Sequence, residues 1–341
     1  MFFEFIISMK TKILFYSAQP YDIEFFNKWN KNYDFQIDYL DILLNQKTVH
    51  LSNGYDAICI FVNDKVDSEV AKTLSENKIK MIALRCAGFN NVDLESTKKY
   101  DIKVVRVPAY SPHAVAEHAV SLILTLNRKT HKAYNRIREM NFSLNGLMGF
   151  DLNDKVVGII GTGKIGSVFA EIMKGFGTEI IAYDPFPNQE LVERNLLKYV
   201  ELNEIFSKSD IISLHCPLTP ETKYIINENS IQMMKDGVMI INTGRGALID
   251  TKAVINGLKK RKIGYLGIDV YEQEEKLFFK DHSYEIIEDD LIARLITFPN
   301  VLITAHQAFF TDTAMNEIAK VTLNNIYEYF YNKNLVNQVA Y

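Results

Sequence analysis

The sequence predicts an α/β protein of two doubly wound domains, each a parallel sheet with helices on both faces. Three observations carry that expectation. Short apolar, β-branched runs alternate with helical patterns along nearly the whole chain, as in a parallel sheet wrapped by crossovers. One such run, Val156–Ile160, opens directly into a glycine-rich turn and a further helical pattern. At 341 residues the chain is long enough for two domains of ordinary size.

In the first half, strands are expected at 12–17, 35–39, 57–62, 80–84 and 103–107, with helices at 21–30, 67–76 and 93–99. No glycine fingerprint opens this half. Its one unusual feature is the strand-end loop Arg85-Cys86-Ala87-Gly88-Phe89-Asn90-Asn91. Val107-Pro108-Ala109-Tyr110-Ser111-Pro112 interrupts the alternation and reads as a crossover into one long helix at 113–137, mostly buried over 114–126. The second half places strands at 156–160, 179–183, 211–215, 238–242, 265–270 and 301–304. A closing helix at 311–331 is too long to cap the same sheet alone and is expected to cross back to the first domain.

Composition and charge exclude several functions. A net charge of −4 creates no field for a polyanion. The densest basic stretch, Arg128 to Arg138, lies on a helical pattern and reads as a solvated or subunit-facing surface, not a nucleic-acid site. Cys59, Cys86 and Cys216 are scattered and form no CxxC, which suits reduced thiols in the cytoplasm and provides neither a zinc site nor a disulfide frame. Residues 1–8 are apolar, but they carry Glu4, lack a basic start and are too short to span a bilayer. They read as an upstream start or an edge extension, with no export signal.

The turn Gly161-Thr162-Gly163-Lys164-Ile165-Gly166 fits the strand–turn–helix of a Rossmann dinucleotide site. Gly161 makes the tight turn, Gly163 lets a pyrophosphate approach the backbone, and Gly166 lets the helix pack on the strand. The phosphates would meet the unpaired N–H groups at the positive end of the helix. The next strand ends in Asp184, about the expected twenty residues on. A carboxylate there accepts the ribose hydroxyls and repels a 2′-phosphate. Pro185-Phe186-Pro187-Asn188 offers no cation to hold such a phosphate, so NAD is favoured over NADP.

A nicotinamide dinucleotide implies hydride transfer, which needs a proton donor and an anchor for the substrate. Of seven histidines, His50, His282, His113 and His131 lie in loop-like or helix-end contexts. His118 reads as a satisfied helix histidine. His215, in Leu214-His215-Cys216-Pro217, reaches the cofactor edge either as packing or as a contact. His306 stands just past the last strand, at the edge where open α/β sheets bind ligands. Arg245, in Asn242-Thr243-Gly244-Arg245-Gly246, emerges at the same edge. Its guanidinium could grip a carboxylate through two parallel hydrogen bonds, or close its own loop on a nearby acid. After the strand near 265–270 come Asp269, Glu272, Glu274 and Glu275. One of these acids could fix the tautomer of His306, and the residues do not choose between Glu272 and Glu274. Arginine, histidine and carboxylate around a nicotinamide suit the interconversion of a 2-hydroxy and a 2-oxo acid.

The chain resembles the D-isomer-specific 2-hydroxyacid dehydrogenases throughout, and within them the fermentative bacterial D-lactate branch. The marks, in order, are Leu84-Arg85-Cys86-Ala87-Gly88-Phe89-Asn90-Asn91-Val92-Asp93, the crossover at 107–112, the glycine turn, Ser213-Leu214-His215-Cys216-Pro217-Leu218-Thr219-Pro220, Asn242-Thr243-Gly244-Arg245-Gly246-Ala247-Leu248 and Gly267-Ile268-Asp269-Val270-Tyr271-Glu272. Ala305-His306-Gln307-Ala308-Phe309-Phe310-Thr311 and the acidic excursion before it point to the lactate branch.

The resemblance implies an NAD-binding Rossmann domain, 109–307, inserted into a flavodoxin-like substrate-binding domain, 1–108 with 308–341. It makes Arg245 the carboxylate clamp, His306 the acid/base and Glu274 its partner, and sets Asp269 by the nicotinamide carboxamide. Backbone N–H groups at Ala87 and Gly88 would bind the substrate carboxylate, and Tyr110 and Phe309 would bound the pocket. His215, Cys216, Pro217, Thr243 and Gly244 would line the cofactor. One departure concerns Glu275, which follows Glu274 where many relatives carry proline, so this loop is set differently. A homodimer or dimer of dimers is implied, with 113–137 as the candidate surface. The rival readings are a dehydrogenase for another D-2-hydroxy acid, such as a phosphoglycerate or hydroxyisocaproate type, and a non-catalytic NAD-sensing protein of the same fold.

Overall fold

The apolar runs form two separate parallel sheets, seen in a computed structural model that describes residues 10–339. The reading of residues 1–8 lies outside them. One compact unit runs to Ser111 and resumes at Phe310, and the other is Pro112–Phe309.

In the first unit the strands are β1 (Lys12–Phe15), β2 (Gln36–Tyr39), β3 (Ala57–Ile60), β4 (Met81–Leu84) and β5 (Lys103–Arg106). Their order is β2-β1-β3-β4-β5, all parallel, which is the flavodoxin-like order. β3 and β4 are buried at every position, because helices cover both faces and alternation is not needed. Asp67 and Asp93, read as helical, instead accept from the N–H groups of Val70 and Ser96 as N-caps of Ser68–Glu76 and Leu94–Lys99. The closing helix Asp312–Tyr327 does return to this unit. Asn316 accepts from Lys28 Nζ (2.9 Å) and Trp29 Nε1 (3.1 Å), and Asn325 donates to the Arg106 carbonyl (2.9 Å). Its expected last turn is wound as a π-helix, Glu328–Asn332.

The second unit holds β6 (Val156–Ile160), β7 (Glu179–Tyr183), β8 (Lys198–Tyr199), β9 (Ile211–Leu214), β10 (Val238–Asn242), β11 (Ile263–Ile268) and β12 (Val301–Ile303). The order β12-β11-β10-β9-β6-β7-β8 reverses between β6 and β9, the switch point at which a Rossmann sheet binds its ligand. Val157, Ile159, Ile211, Met239 and Ile241 pack with Leu122, Leu126 and Phe169 on one face. Ile212, Leu214, Ile240, Leu266 and Ile268 pack with Val254, Ile255 and Leu258 on the other. Residues adjacent in sequence, such as Ile211 and Ile212, thus serve opposite layers, which is why these strands read as continuous apolar runs.

Two expectations are corrected. The single helix at 113–137 is two helices, Pro112–Arg128 and Thr130–Arg138, separated by Lys129 at φ +51°. A left-handed break is normally announced by glycine or asparagine, and a lysine there gives no such signal. Strand β8 was not expected. At two residues, paired to Ile181 and Ala182 of β7, it is too short to show a period.

Candidate active site

All seven strands of the second sheet are parallel, so the loops after β12, β11, β10, β9, β6 and β7 leave at one edge. Six adjacent strand ends span about 24 Å at ordinary strand spacing. The edge therefore separates two groups of residues, as a two-headed ligand requires.

At one end is the glycine turn. Gly161 takes φ +96°, and a Cβ there would lie 2.6 Å from the Cys216 nitrogen. A Cβ on Gly166 would lie 2.0 Å from the Gly161 carbonyl oxygen. These two glycines are demanded by protein neighbours. Gly163 is not: it is exposed, a Cβ there would meet nothing within 4 Å, and it caps the helix Lys164–Lys174 without a side chain. The space it leaves open lies over the first-turn N–H groups, where a phosphate fits. Lys164 is exposed, whereas Ile165 is half-buried.

Asp184 is braced for the adjoining sugar. Its Oδ2 accepts from Thr162 N (2.7 Å) and Thr162 Oγ1 (3.0 Å), and its Oδ1 accepts from Phe186 N (2.9 Å). A carboxylate has about two acceptor sites on each oxygen, so Oδ2 is filled by Thr162 and Oδ1 keeps capacity for a hydroxyl. Tyr199 of β8 completes this brace, its hydroxyl 2.8 Å from Thr162 Oγ1 and accepting from Asn188 N (2.9 Å). Between the two groups lies His215, whose Nε2 is 2.8 Å from Ser213 Oγ and whose ring packs on Phe169 with centroids 4.8 Å apart. Burial pushes its imidazole down to about 3, so at neutral pH it is an uncharged packing element. Burial likewise raises the Cys216 thiol to about 11. Pro217 is exposed, its carbonyl accepting from Thr222 Oγ1 at 2.6 Å.

The other end is built from β10, β11 and β12. Buried Asn242 shapes the loop after β10: its amide donates to the Arg245 carbonyl (2.9 Å) and its Oδ1 accepts from Gly244 N (3.0 Å). Arg245 is half-buried, and its Nη1 donates only to the neighbouring Gly244 carbonyl (2.7 Å). Among the described residues no carboxylate pairs with it, so the guanidinium does not close its loop on an acid. The Thr243 hydroxyl beside it is buried without a protein partner among those residues, a group a bound ligand would satisfy. Gly246 allows this loop to lie against the segment that follows β11, since a Cβ there would be 2.1 Å from the Tyr271 carbonyl carbon.

Of the two acids left open by the sequence, Glu274 faces the histidine. Its Oε1 lies 2.7 Å from His306 Nδ1, and its Oε2 accepts from Tyr271 N (2.9 Å). Glu272 is held elsewhere, accepting from the Tyr224 hydroxyl and from Thr251 Oγ1 (2.8 Å). A carboxylate only accepts, so Nδ1 of His306 carries a proton and Nε2 is the ring's working nitrogen. The phenyl ring of Phe279 lies 5.9 Å from the imidazole.

His306 itself sits at φ +52°, a strained conformation for a non-glycine residue, costing on the order of 1–3 kcal/mol. Asp269 holds it there. The Asp269 carbonyl accepts from His306 N (2.7 Å), and its carboxylate, fully enclosed, accepts from Gln307 N (2.9 Å), Ala308 N (2.8 Å) and Thr304 Oγ1 (2.5 Å). His118 Nε2 lies 3.0 Å from Thr304 Oγ1 and 3.4 Å from Asp269 Oδ1. Burial would raise the Asp269 carboxyl, but the hydrogen bonds from His118, Thr304 and Ala308 outweigh it and hold the group below its usual value. Phe309 follows as a buried residue.

The remaining expected positions belong to the first unit. Ala87 and Gly88 leave the end of β4 with their carbonyls engaged by Arg106 Nη1 (2.7 Å) and Cys86 Sγ (3.3 Å). Buried Arg85 roots this loop, donating to the Tyr16 and Ser17 carbonyls between the rings of Phe15 and Phe61. Tyr110 is half-buried in the crossover. Sequence reasoning missed Thr304, Tyr199 and Phe279. Thr304 carried only one signal, its position at the end of an expected strand, and Tyr199 carried none, since β8 is too short to show a period.

Residues 120–308 match the sequence profile of the "D-isomer specific 2-hydroxyacid dehydrogenase, NAD binding domain". The chain is 53% identical over 317 residues to a 2-hydroxyacid dehydrogenase homolog of Haemophilus influenzae, covering 93% of this chain and 96% of that one. It is 51% identical over 315 residues to the D-lactate dehydrogenase of Escherichia coli, covering 92% and 95%. The apo-structure of D-lactate dehydrogenase from Escherichia coli superimposes with a TM-score of 0.88 at 47% identity, covering 97% of this chain and 100% of that one. The chain belongs to the D-isomer-specific 2-hydroxyacid dehydrogenase family, an NAD-dependent group of oxidoreductases. Its cofactor is NAD, and the open cradle at Gly163 with braced Asp184 is suited to it.

Proposed function

We propose that the protein is an NAD-dependent D-lactate dehydrogenase, reducing pyruvate to D-lactate and running in reverse when the ratio of reactants demands it. The observation that carries this reading is the 2.7 Å contact between His306 and Glu274, one strand from an arginine with no acid partner among the described residues. The identity to D-lactate dehydrogenases supports the choice of substrate.

When bound, the reduced cofactor supplies a hydride to the carbonyl carbon. Gly161, Thr162, Gly163, Lys164, Ile165 and Gly166 would hold its phosphates, Asp184 its adenosine ribose, and Thr243, Gly244 and the 215–217 turn its further length. Arg245 pairs with the substrate carboxylate through two parallel N–H donors. Protonated His306 donates from Nε2 to the keto oxygen and gives up that proton as the alkoxide forms. Glu274 holds the imidazolium through Nδ1, so the ring keeps its orientation in both protonation states. By the resemblance, Ala87 and Gly88 would supply backbone donors to the carboxylate, and Tyr110 and Phe309 would bound the methyl group. Asp269 would serve mainly by fixing His306, and any contact with the carboxamide would come from a carboxylate already committed to the loop.

Reduction needs His306 protonated and oxidation needs it neutral, so the two directions should respond oppositely to pH. We further assign the protein to the cytoplasm and to fermentation, as the lactate branch implies. Tyr134, Ile137, Met140, Phe142, Leu144 and Met148, all exposed on the second helix of the broken pair and the segment after it, support a homo-oligomer. The test is NADH oxidation with pyruvate, followed by chiral analysis of the product. D-Lactate is expected. L-Lactate, or NADH binding without turnover, would overturn the reading.

A further inference from the structure

We propose that His118 is a positioning residue for the acid/base His306, acting through Thr304 and Asp269. This rests on the role assigned to His306 above.

The geometry gives the chain of contacts a direction. Asp269 only accepts, so the 2.5 Å contact with Thr304 uses the hydroxyl proton of Thr304. The Thr304 oxygen then has only lone pairs to offer His118 Nε2 at 3.0 Å, so Nε2 carries a proton and donates. Donation therefore runs from His118 to Thr304 to Asp269. The same Asp269 carboxylate receives the N–H groups of Gln307 and Ala308, the two residues that follow the strained His306. With Asp269 fully enclosed, each donor lost leaves its charge less compensated, and no solvent is present to replace it.

His118 is placed for this and for little else. It projects from the helix Pro112–Arg128, which packs on β11 and β12, and its side chain is 15% exposed. Its hydrogen bond and ion pair among the described residues go to Thr304 and Asp269, so its effect on turnover is expected to travel through them. Loosening the carboxylate would let the 306–308 backbone relax toward an ordinary φ and swing the imidazole from its contact with Glu274.

The experiment compares His118→Leu, His118→Gln, Thr304→Val and the Leu/Val double variant with the wild-type enzyme. Wild-type turnover tests the functional reading first, and the variants are then compared on whichever 2-oxo acid the wild type reduces, so the two failures are separable. For His118→Leu we expect kcat to fall about 10- to 100-fold, a loss of one or two hydrogen bonds to a charged group, with KM for the oxo acid and NADH affinity within threefold. His118→Gln, whose amide restores a donor, should recover most of kcat. Thr304→Val should resemble His118→Leu, and the double variant should lose less than the product of the two single losses, because both side chains act on the same carboxylate. Unchanged kcat in both single variants, failure of Gln to rescue, multiplicative losses in the double variant, or a parallel loss of NADH affinity would each overturn the proposal.

Discussion

The two ends of the second sheet's carboxyl edge solve different problems. At the β6–β7 end the backbone does the work: Gly161 and Gly166 are fixed by contacts in which a Cβ has no room, and Gly163 leaves open space above a helix start. At the β10–β12 end the backbone is bent to serve side chains. His306 is strained, Asp269 is buried to hold it, and Arg245 has no acid partner among the described residues. One end is shaped to hold a ligand and the other to move a proton. Substitutions at the two ends should therefore fail in different quantities.

The largest effect should come from His306→Gln. Loss of a positioned general acid is expected to lower kcat by about 10²- to 10⁴-fold. NADH binding, measured by fluorescence titration, should stay within a few-fold, since no residue of the β6–β7 end changes. Equal losses in binding and turnover would show that the two ends do not act separately. Arg245→Lys comes next. A point charge on a flexible stem cannot reproduce the paired donors, and about 2–5 kcal/mol of transition-state binding should be lost, read from kcat/KM for pyruvate. A near-normal value would remove Arg245 from the site.

Asp184→Ala probes the opposite end and should leave kcat with saturating NADH largely intact. The preference for NADH over NADPH should shrink by about 1.5–3 kcal/mol, the scale of a hydrogen bond to a charged group. The N–H groups of Thr162 and Phe186 lose an acceptor as well, so some loss of thermal stability should accompany it. An unchanged cofactor ratio with a normal Km for NADH would place the ribose elsewhere.

The same contrast governs what was legible in the sequence. A backbone requirement leaves its residues in a row, so 161–166 and the helix to Lys174 could be read directly from spacing. The chemistry of the other end is spread over strands that are distant in sequence and adjacent only in the sheet. Arg245 and His306 were visible as polar residues past strand ends, but position alone left Glu272 and Glu274 open, and only the family resemblance named Glu274. Tyr224 and Thr251 claim one acid and leave the other for the imidazole. His118 was read as a satisfied helix histidine, and its partners Thr304 and Asp269 lie more than 150 positions away in sequence. The break at Lys129 and the two-residue β8 were hidden for a local reason, since neither carries glycine, proline or a period.

The smallest expected effect lies between the two ends, at His215, and is read as stability. Its folded imidazole titrates near 3, whereas an unfolded one titrates near 6.5. Between those values the unfolded chain binds a proton that the folded chain refuses. The stability contributed by keeping this ring neutral is therefore complete above about pH 6.5 and declines as the pH falls toward 3, by at most ~1.4 kcal/mol per pH unit. In His215→Asn the contact with Phe169 is lost, so the variant should be weaker at pH 7.5. Its urea midpoint should then fall less between pH 7.5 and pH 5 than that of the wild type. If both proteins lose the same stability over that interval, another group sets the acid response and His215 does not bury a neutral ring against Phe169.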